Sequence, residues 1–245
     1  MGSEDDAIVL IGDPRVAAVP VRECGEPLVD CRTLLRVDLR RADPAGHWAH
    51  LRTSVAERLL RAQELLPDGW HWLLTEGYRP PAVQTEIFEG YAAELRRLGP
   101  DAPEAEIRRD ATRYVAPMET AGHVAGAAVD LTVCTADGTE VDMGSPEAAT
   151  PEESGGACCT RAPGLPAAAR RNRSVMATAL TGAGLVNYPT EWWHWSYGDR
   201  YWAWSTGAPA AVFGPVGRRA DGPGPTGRPG PTDPTSPTGP TGRTS

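Results

Sequence analysis

The sequence contains no lysine, and all 24 of its basic residues are arginines. Without lysine the chain cannot form a lysine Schiff base, a phosphate-binding loop of the type that requires a lysine, or a serine–lysine catalytic dyad. The net charge of −8 and the lack of basic runs argue against a nucleic-acid partner. These absences exclude several catalytic classes and one class of partner.

Long hydrophobic runs are also missing. The apolar run at 7–11 is far too short for a signal sequence or a membrane span, and no other stretch is long enough. We therefore expect a soluble, cytoplasmic protein with no membrane partner. The sequence does not indicate its oligomeric state.

Cysteine is scarce, and its spacing does not match that of zinc fingers. We expect reduced thiols, as is usual in the cytosol. The adjacent pair Cys158–Cys159 leaves metal chelation or oxidation open as an alternative. The five cysteines are Cys24, Cys31, Cys134, Cys158 and Cys159.

The C-terminal segment 214–245 consists largely of proline, glycine and threonine. Such a segment buries too little apolar surface to offset its ordering entropy, so we expect it to be disordered. The preceding 213 residues are enough for one sizeable core. The predicted organisation is a domain at 1–213 followed by a tail at 214–245.

Hydrophobic periodicity predicts helices at 50–66, 81–98 and 167–184, and a weaker one at 103–115. Strands are expected at 7–11, 70–74, 127–133 and 193–197, with a further candidate at 201–204. Asp137-Gly138 is suited to a tight hairpin turn. Because no regular alternation of strands and helices is present, we predict a compact single α+β domain, with an antiparallel sheet and helices packed around a cleft.

His123 and Asp130 form the first notable pair. Only small apolar residues separate them, and Asp130 lies between Val129 and Leu131 in a predicted strand. A buried carboxylate is costly unless it is paired with a cation or a metal. Catalytic zinc takes three protein ligands, and His194 is the natural third.

His194 lies in EWWHWSYGDRYWAW, 191–204, where tryptophans surround one glutamate and one histidine. A low-dielectric aromatic cavity would strengthen interactions at the metal, with Glu191 as the general base on its bound water. Residues three apart oppose each other on a strand. Pro189 therefore indicates that Glu191 lies in a loop before the strand begins.

Arg79 follows a predicted strand in TEGYRPPAVQ, 75–84, where its guanidinium could stabilise an oxyanion. A structural ion pair is the alternative role for this arginine. His47, His50 and His71 have no acidic partner at ligand spacing, and we interpret them as ordinary histidines.

These motifs, in this order, resemble the zinc D-alanyl-D-alanine dipeptidases, the VanX-type family of D,D-metallopeptidases. The matching segments are GYRP at 77–80, His123-x-x-Gly126-x-Ala128-x-Asp130 and Glu191-Trp-Trp-His194; DMG at 142–144 and ARRNR at 169–173 match more loosely. The resemblance covers roughly 73–197. It implies a compact α+β fold and a cytoplasmic enzyme that hydrolyses D-Ala-D-Ala, the dipeptide of peptidoglycan precursors to which vancomycin binds.

The resemblance also implies roles for individual residues. His123, Asp130 and His194 would bind one Zn²⁺ per chain, Glu191 would be the base, and Arg79 would polarise the scissile carbonyl. The family usually has serine where this chain has Ala121. It has an aspartate that meets the substrate ammonium group where this chain has Ala148, with Glu147 beside it as a candidate replacement.

Other functions remain open from the sequence. A D,D-carboxypeptidase or murein endopeptidase would use the same site on a longer substrate. A non-catalytic zinc-binding module would not need Glu191, and a hydrolase of specialised metabolism is a further alternative. The leading prediction is a zinc dipeptidase acting on a small D-amino-acid dipeptide.

Overall fold

A five-stranded sheet forms the centre of the molecule in the computed structural model, which describes residues 8–217. The strand order is β2-β4-β5-β7-β6, and a separate two-stranded sheet pairs β1 with β3. The strands are β1 (Leu28–Asp30), β2 (Arg36–Val37), β3 (His50–Arg52), β4 (Trp70–Glu76), β5 (Ala128–Thr135), β6 (Val186–Asn187) and β7 (His194–Ser196).

The central sheet is mixed. β4, β5, β7 and β6 pair antiparallel, as predicted, but β2 joins the edge of β4 in parallel. β5 is its most buried strand: Ala128 to Cys134 are all buried, because neighbouring strands flank it and side chains cover both faces. The predicted turn at Asp137-Gly138 reverses the chain after β5, with a bridge from Cys134 to Glu140.

Helices cover this sheet. α2 and α6 contribute to the main hydrophobic core, whereas α3 and α4 share a smaller apolar cluster around Phe88 and Ile107. The helices are α1 (Pro14–Ala17), α2 (Thr53–Gln63), α3 (Pro81–Leu98), α4 (Glu104–Ala111), α5 (Pro151–Ser154), α6 (Ala167–Gly182) and α7 (Arg200–Thr206). The α+β fold class and the four long helices are confirmed, with ends that differ by up to four residues.

The helix predicted from residue 50 begins at Thr53, because His50–Arg52 form β3. Arg52 is buried there, and its guanidinium bonds the carbonyl oxygens of Ala125 and Gly214. This tertiary anchoring holds the backbone extended where the apolar stripe alone predicts helix.

The strand expected at 201–204 is wrong. This segment belongs to α7, because Asp199 caps the helix by accepting a hydrogen bond from the Trp202 amide at 2.7 Å. Gly207, with φ 71°, ends it. A capping carboxylate and a terminal glycine outweigh the preference of aromatic residues for strands.

The strand expected at 7–11 is not formed by residues 8–11; Ala7 lies outside the described residues. The Ile11 amide donates to the Tyr188 hydroxyl at 3.1 Å, and the Asp13 amide donates to the Leu10 carbonyl. The segment therefore turns into α1 rather than pairing along a sheet edge.

At the other end, the chain keeps contact with the domain beyond residue 213. The Gly214 amide donates to Glu23, and the Val216 amide donates to the Val124 carbonyl at 2.9 Å. The predicted disordered tail falls mostly at 218–245, outside the described residues, so the boundary at 213 stays a prediction. Within 8–217, no helix combines the length and apolar character needed to cross a membrane.

Candidate active site

Three neighbouring strands carry three acidic or imidazole side chains in one row. Glu76 on β4 lies opposite Asp130 on β5, and Asp130 lies opposite His194 on β7. Directly paired residues of antiparallel strands point to the same face of a sheet. The strand register therefore brings together residues from three distant parts of the sequence.

His123 joins this row from the short 3₁₀ segment His123–Ala125 before β5. Gly126, with φ 64°, ends that segment in the left-handed region and turns the chain into the strand. A Cβ atom at this position would lie 2.3 Å from Cδ2 of Leu28, so the turn also needs the space that glycine leaves.

His123, Asp130 and His194 form a compact, buried cluster whose candidate ligand atoms all lie within 4.8 Å of one another. Nδ1 of His194 is 2.9 Å from Oδ1 of Asp130 and 3.2 Å from Nε2 of His123. Nε2 of His123 is 3.4 Å from the same Asp130 oxygen. The structure thus brings together the three residues that the sequence singled out as metal ligands.

The ring of His123 is held from behind. Its Nδ1 lies 2.7 Å from the carbonyl oxygen of Gly77, and its own carbonyl accepts a hydrogen bond from the Arg79 amide. A proton on Nδ1 satisfies the Gly77 carbonyl and leaves the lone pair of Nε2 facing the cluster. This is the usual way in which a metal-binding imidazole is oriented.

Glu191 lies just before β7, in the loop predicted from Pro189. Its Oε2 is 3.8 Å from Nδ1 of His194, and its Oε1 is buried without a hydrogen-bond partner among the described residues. Burial, and next the negative charge of Asp130, raise the pKa of Glu191 well above its ordinary value. A glutamate whose pKa is raised holds a proton more readily than an ordinary one.

Arg79 is buried beside this cluster and rigidly held. Its Nε and Nη2 donate to the two carboxylate oxygens of Glu76 at 2.6 and 2.7 Å, and its Nη1 donates to Gln84 at 2.9 Å. Burial opposes the ionised form of Glu76, but the bonds from Arg79 outweigh it and lower the pKa of Glu76 to about 2. The positive charge of Arg79 also reaches Glu191, whose pKa it lowers against the effect of burial.

Glu147, the predicted substrate-binding residue, faces the same site. It accepts a hydrogen bond from the Thr75 hydroxyl at 3.0 Å and lies 3.4 Å from Nη2 of Arg41. Burial raises the pKa of Glu147 to about 7, although the charge of Arg41 opposes this shift. Ala148 beside it has φ 61°, and its carbonyl accepts the Tyr114 hydroxyl at 2.8 Å.

A cavity of about 460 Å³, within the size range of small-molecule sites, lies on the Glu147 side of the site, and the three cluster residues are not among those that line it. Glu147, Thr132 and Trp192 are among its lining residues. Trp192 also belongs to the main hydrophobic core, together with Trp193 and Trp195. The aromatic segment 191–204 therefore reaches the cavity through Trp192, whereas its Trp202 and Trp204 lie on α7.

Sequence reasoning missed Arg41, Glu76 and Tyr114. Glu76 directly precedes the GYRP segment at the end of a strand, a position that could have been noticed. Arg41 lies 35 residues before Glu76 in a loop without a motif, and only the fold brings the two together. His47, His50 and His71 lie outside the cluster. All five cysteines lie in the described part of the chain and are free thiols.

The residues present fit a divalent cation. Two imidazoles and a carboxylate are a typical donor set for zinc. Among residues 8–217, four carboxylates and two guanidinium groups meet here, so the fully ionised side chains leave two excess negative charges that a divalent ion would balance. These six residues are Glu76, Asp130, Glu147, Glu191, Arg41 and Arg79.

Comparison with known proteins places this chain among the peptidases. The family model of the M15 peptidases, described as D-Ala-D-Ala dipeptidase, matches residues 43–206, well over half of the chain. The chain belongs to this D-Ala-D-Ala dipeptidase family, as the sequence motifs predicted. The three cluster residues, Glu191 and Arg79 all lie inside the matched segment.

Two curated relatives are similar over much of the chain. A D-alanyl-D-alanine dipeptidase of Synechocystis sp. (strain ATCC 27184 / PCC 6803 / Kazusa) is 29% identical over 217 residues, covering 76% of this chain and 88% of the relative. A D-alanyl-D-alanine dipeptidase of Escherichia coli (strain K12) is 28% identical over 142 residues, covering 58% of this chain and 61% of the relative.

Solved structures show more distant likeness. The LdcB LD-carboxypeptidase, described with its peptidoglycan recognition, aligns with a TM-score of 0.42 and 17% identity, over 74% of this chain and 75% of that one. A mutant of the vancomycin resistance D,D-pentapeptidase VanY from a VanB-type cassette, in complex with Zn(II), aligns with a TM-score of 0.35 and 21% identity, over 80% and 95%.

Proposed function

We propose that this protein is a zinc-dependent hydrolase that cleaves the peptide bond of D-Ala-D-Ala or a related D-amino-acid dipeptide. The observation that carries the proposal is the buried Glu191 carboxylate, with one unpaired oxygen, beside the cluster of His123, Asp130 and His194. Membership of the dipeptidase family supports the choice of substrate. One zinc ion per chain, held by the cluster, would polarise the substrate carbonyl and increase the acidity of water.

Glu191 is the proton carrier in this proposal. Its raised pKa matches a group that removes a proton from the attacking water and then delivers it to the leaving amine. The free Oε1 leaves one carboxylate oxygen available for that proton. The surrounding burial keeps bulk water from competing for it.

Arg79 is the stabiliser of the oxyanion that develops on the scissile carbonyl. Glu76 and Gln84 orient its guanidinium, while N–H groups on Nη1 and Nη2 remain uncommitted to these partners. A preoriented donor costs no reorganisation when charge develops, which is why such groups contribute strongly to catalysis.

Glu147 is proposed to bind the free ammonium group of the dipeptide, in place of the aspartate that the family has at the position of Ala148. Glu147 lines the cavity and carries the carboxylate that such a group requires. Glu147→Gln should raise KM for the free dipeptide, because it removes a charge-assisted hydrogen bond. N-acetyl-D-Ala-D-Ala should be a poor substrate for both forms.

The test is hydrolysis of D-D, L-D, D-L and L-L dipeptides by the zinc-loaded protein, measured by amine release. Metal analysis of His194→Ala should show a loss of zinc. His47→Ala provides the control, because His47 is outside the cluster and half exposed. Full zinc content in His194→Ala would reject the metal site.

Two other outcomes would assign a different function to the protein. Efficient cleavage of N-acetyl-D-Ala-D-Ala would identify a D,D-carboxypeptidase or endopeptidase, and zinc binding without hydrolysis would identify a metal-binding module. Hydrolysis of the free D-D dipeptide alone would fit a cytoplasmic enzyme of peptidoglycan metabolism, the role that links the resembled family to vancomycin resistance.

A further inference from the structure

Arg41 enters the candidate site from outside the segment that the family model matches. Its Nη1 donates to Glu76 at the end of β4 and lies 3.7 Å from Oδ2 of Asp130 on β5. Its Nη2 lies 3.4 Å from Oε1 of Glu147. The loop after β2 thus places a cation directly beside a candidate metal ligand.

The Arg41 guanidinium is accessible and has unused donors. Within residues 8–217 its single hydrogen bond runs from Nη1 to Glu76, and neither Nε nor Nη2 makes one. Its side chain is 31% exposed, against 10% for Arg79, whose guanidinium is tied to Glu76 and Gln84. Of the two arginines at the cluster, Arg41 is the one that can receive an incoming group.

The contact between Arg41 and Glu147 is an exchangeable one. At 3.4 Å it is an ion pair without a hydrogen bond, and Thr75 holds Glu147 independently at 3.0 Å. A guanidinium presents a planar fork of donors that matches a carboxylate with two parallel hydrogen bonds. A substrate carboxylate could therefore replace Glu147 at Arg41 with better geometry.

We propose that Arg41 recognises the C-terminal carboxylate of the peptide substrate, a role that rests on the proposed peptidase function. Adjacent residues of a peptide are separated by about 3.8 Å. Nη1 of Arg41 lies 3.7 Å from Oδ2 of Asp130. A substrate carboxylate held at Arg41 therefore leaves the preceding peptide bond close to Asp130. Arg41 then restricts cleavage to the last bond of a short peptide and frees Glu147 for the ammonium end of a dipeptide.

The experiment compares D-Ala-D-Ala with D-alanyl-D-alaninamide, which lacks only the negative charge of the C-terminus. Zinc-loaded wild-type protein should prefer the acid. Arg41→Gln should lower kcat/KM for the acid by about 10- to 100-fold, the value of a lost charge-assisted contact, and leave kcat/KM for the amide nearly unchanged. Arg41→Lys should recover part of the preference, since it keeps the charge without the fork.

Arg40→Gln is the matched control. Arg40 is the neighbouring residue, but it is 57% exposed and pairs with Asp38 and Glu140. This variant should keep the wild-type preference for the acid. Zinc content should be equal in all four proteins, which separates recognition from loss of the metal.

Binding of D-alanine and D-alaninamide to the zinc-loaded proteins, measured by calorimetry, gives a readout that does not depend on turnover. Wild type should bind D-alanine more tightly, and Arg41→Gln should lose that difference. An equal loss for acid and amide would show a structural role and overturn the proposal, as would a wild type that does not distinguish them. If neither peptide is cleaved, the proposed function fails, and the calorimetric difference alone decides the role of Arg41.

Discussion

At the scale of single residues, the site separates its carboxylates by environment. Glu76 is fixed in the ionised form by Arg79, whereas burial and the negative charge of Asp130 raise the pKa of Glu191. The proposed division of roles, with Glu76 as a structural anion and Glu191 as the proton carrier, agrees with pKa values that move in opposite directions. The local partners of each side chain, rather than its residue type, decide this division.

Glu191→Gln should retain zinc and lose at least about 10²-fold in kcat, because the amide keeps the shape of the side chain but cannot carry the proton. Steady-state kinetics with metal analysis checks this expectation. Glu119→Gln, an exposed glutamate, serves as the control and should behave as wild type. Wild-type turnover in Glu191→Gln would show that another group is the base.

Glu76 should make stability depend on pH on the acid side. The pKa of Glu76 is about 2 in the folded protein and 4.5 ordinarily, so ionised Glu76 stabilises the fold above pH 4.5. This contribution, on the order of 3 kcal/mol at most, is lost as the pH falls from 4.5 towards 2. Urea unfolding across this range measures it.

Glu76→Gln should flatten that acid-side slope and lower stability at pH 7, since it leaves the buried Arg79 without its counter-charge. Glu94→Gln removes an exposed partner of Arg97 and should change neither quantity. An unchanged slope in Glu76→Gln would mean that other carboxylates govern the acid response.

At the scale of elements, the register of β4, β5 and β7 builds the site. Glu76, Asp130 and His194 lie in one cross-strand row, and a slip of one residue would turn any of them to the opposite face. The buried strand β5 resists such a slip, because its apolar residues fill the core on both sides. The short segment before β5 then sets the place of His123.

Gly126→Ala tests that segment. A Cβ atom here combines a left-handed backbone with a contact of 2.3 Å to Leu28, so we expect a destabilisation of about 2–4 kcal/mol and weaker zinc binding. Gly138→Ala is the matched control: it also has a positive φ, but its Cβ would meet nothing within 4 Å. It should cost about 1–2 kcal/mol and leave zinc binding unchanged. Urea unfolding and zinc titration distinguish the two, and equal zinc affinity in both would contradict a role for this turn in placing His123.

At the scale of the whole molecule, the site joins segments from much of the domain. Arg41, Glu76, His123, Asp130, Glu147 and His194 are brought together only by the folded chain. The C-terminal part of the described chain stabilises the small sheet of β1 and β3. The Gly214 amide donates to Glu23, the Gly214 carbonyl accepts from Arg52, and Glu23 and Arg52 form an ion pair beside that sheet. The folded unit therefore depends on contacts between its two ends.

Truncation after residue 217 should leave activity and Tm nearly unchanged, because the composition of 218–245 offers little apolar surface for packing. Truncation after residue 213 should lower Tm, because it removes the bonds of Gly214 and Val216. Thermal unfolding of both forms checks this. A large loss in the longer form would show that residues beyond 217 take part in the folded domain.

Much of the site could be predicted because its motifs are local. His123 and Asp130 are separated by small residues in one segment, and Glu191 and His194 are three residues apart around a strand start. Arg41 and Tyr114 could not be found in this way, because their relation to the site is a contact across the fold rather than a spacing in the chain. The strand expected at 201–204 is wrong because the cap at Asp199 outweighs the strand preference of its aromatic residues.

By itself, the sequence determined the chemistry that this protein can perform: it supplies imidazole, carboxylate and guanidinium groups in recognisable motifs, and it excludes lysine chemistry altogether. It also determined the long helices, whose apolar stripes follow the 3.6-residue period. Only the tertiary structure decided which carboxyl groups have a raised pKa and which have a lowered one, because pKa depends on burial and on partners distant in the chain. The tertiary structure likewise decided that Arg41 faces the cluster. Arg41 lies in a loop, and its partners come close to it only when the sheet has formed.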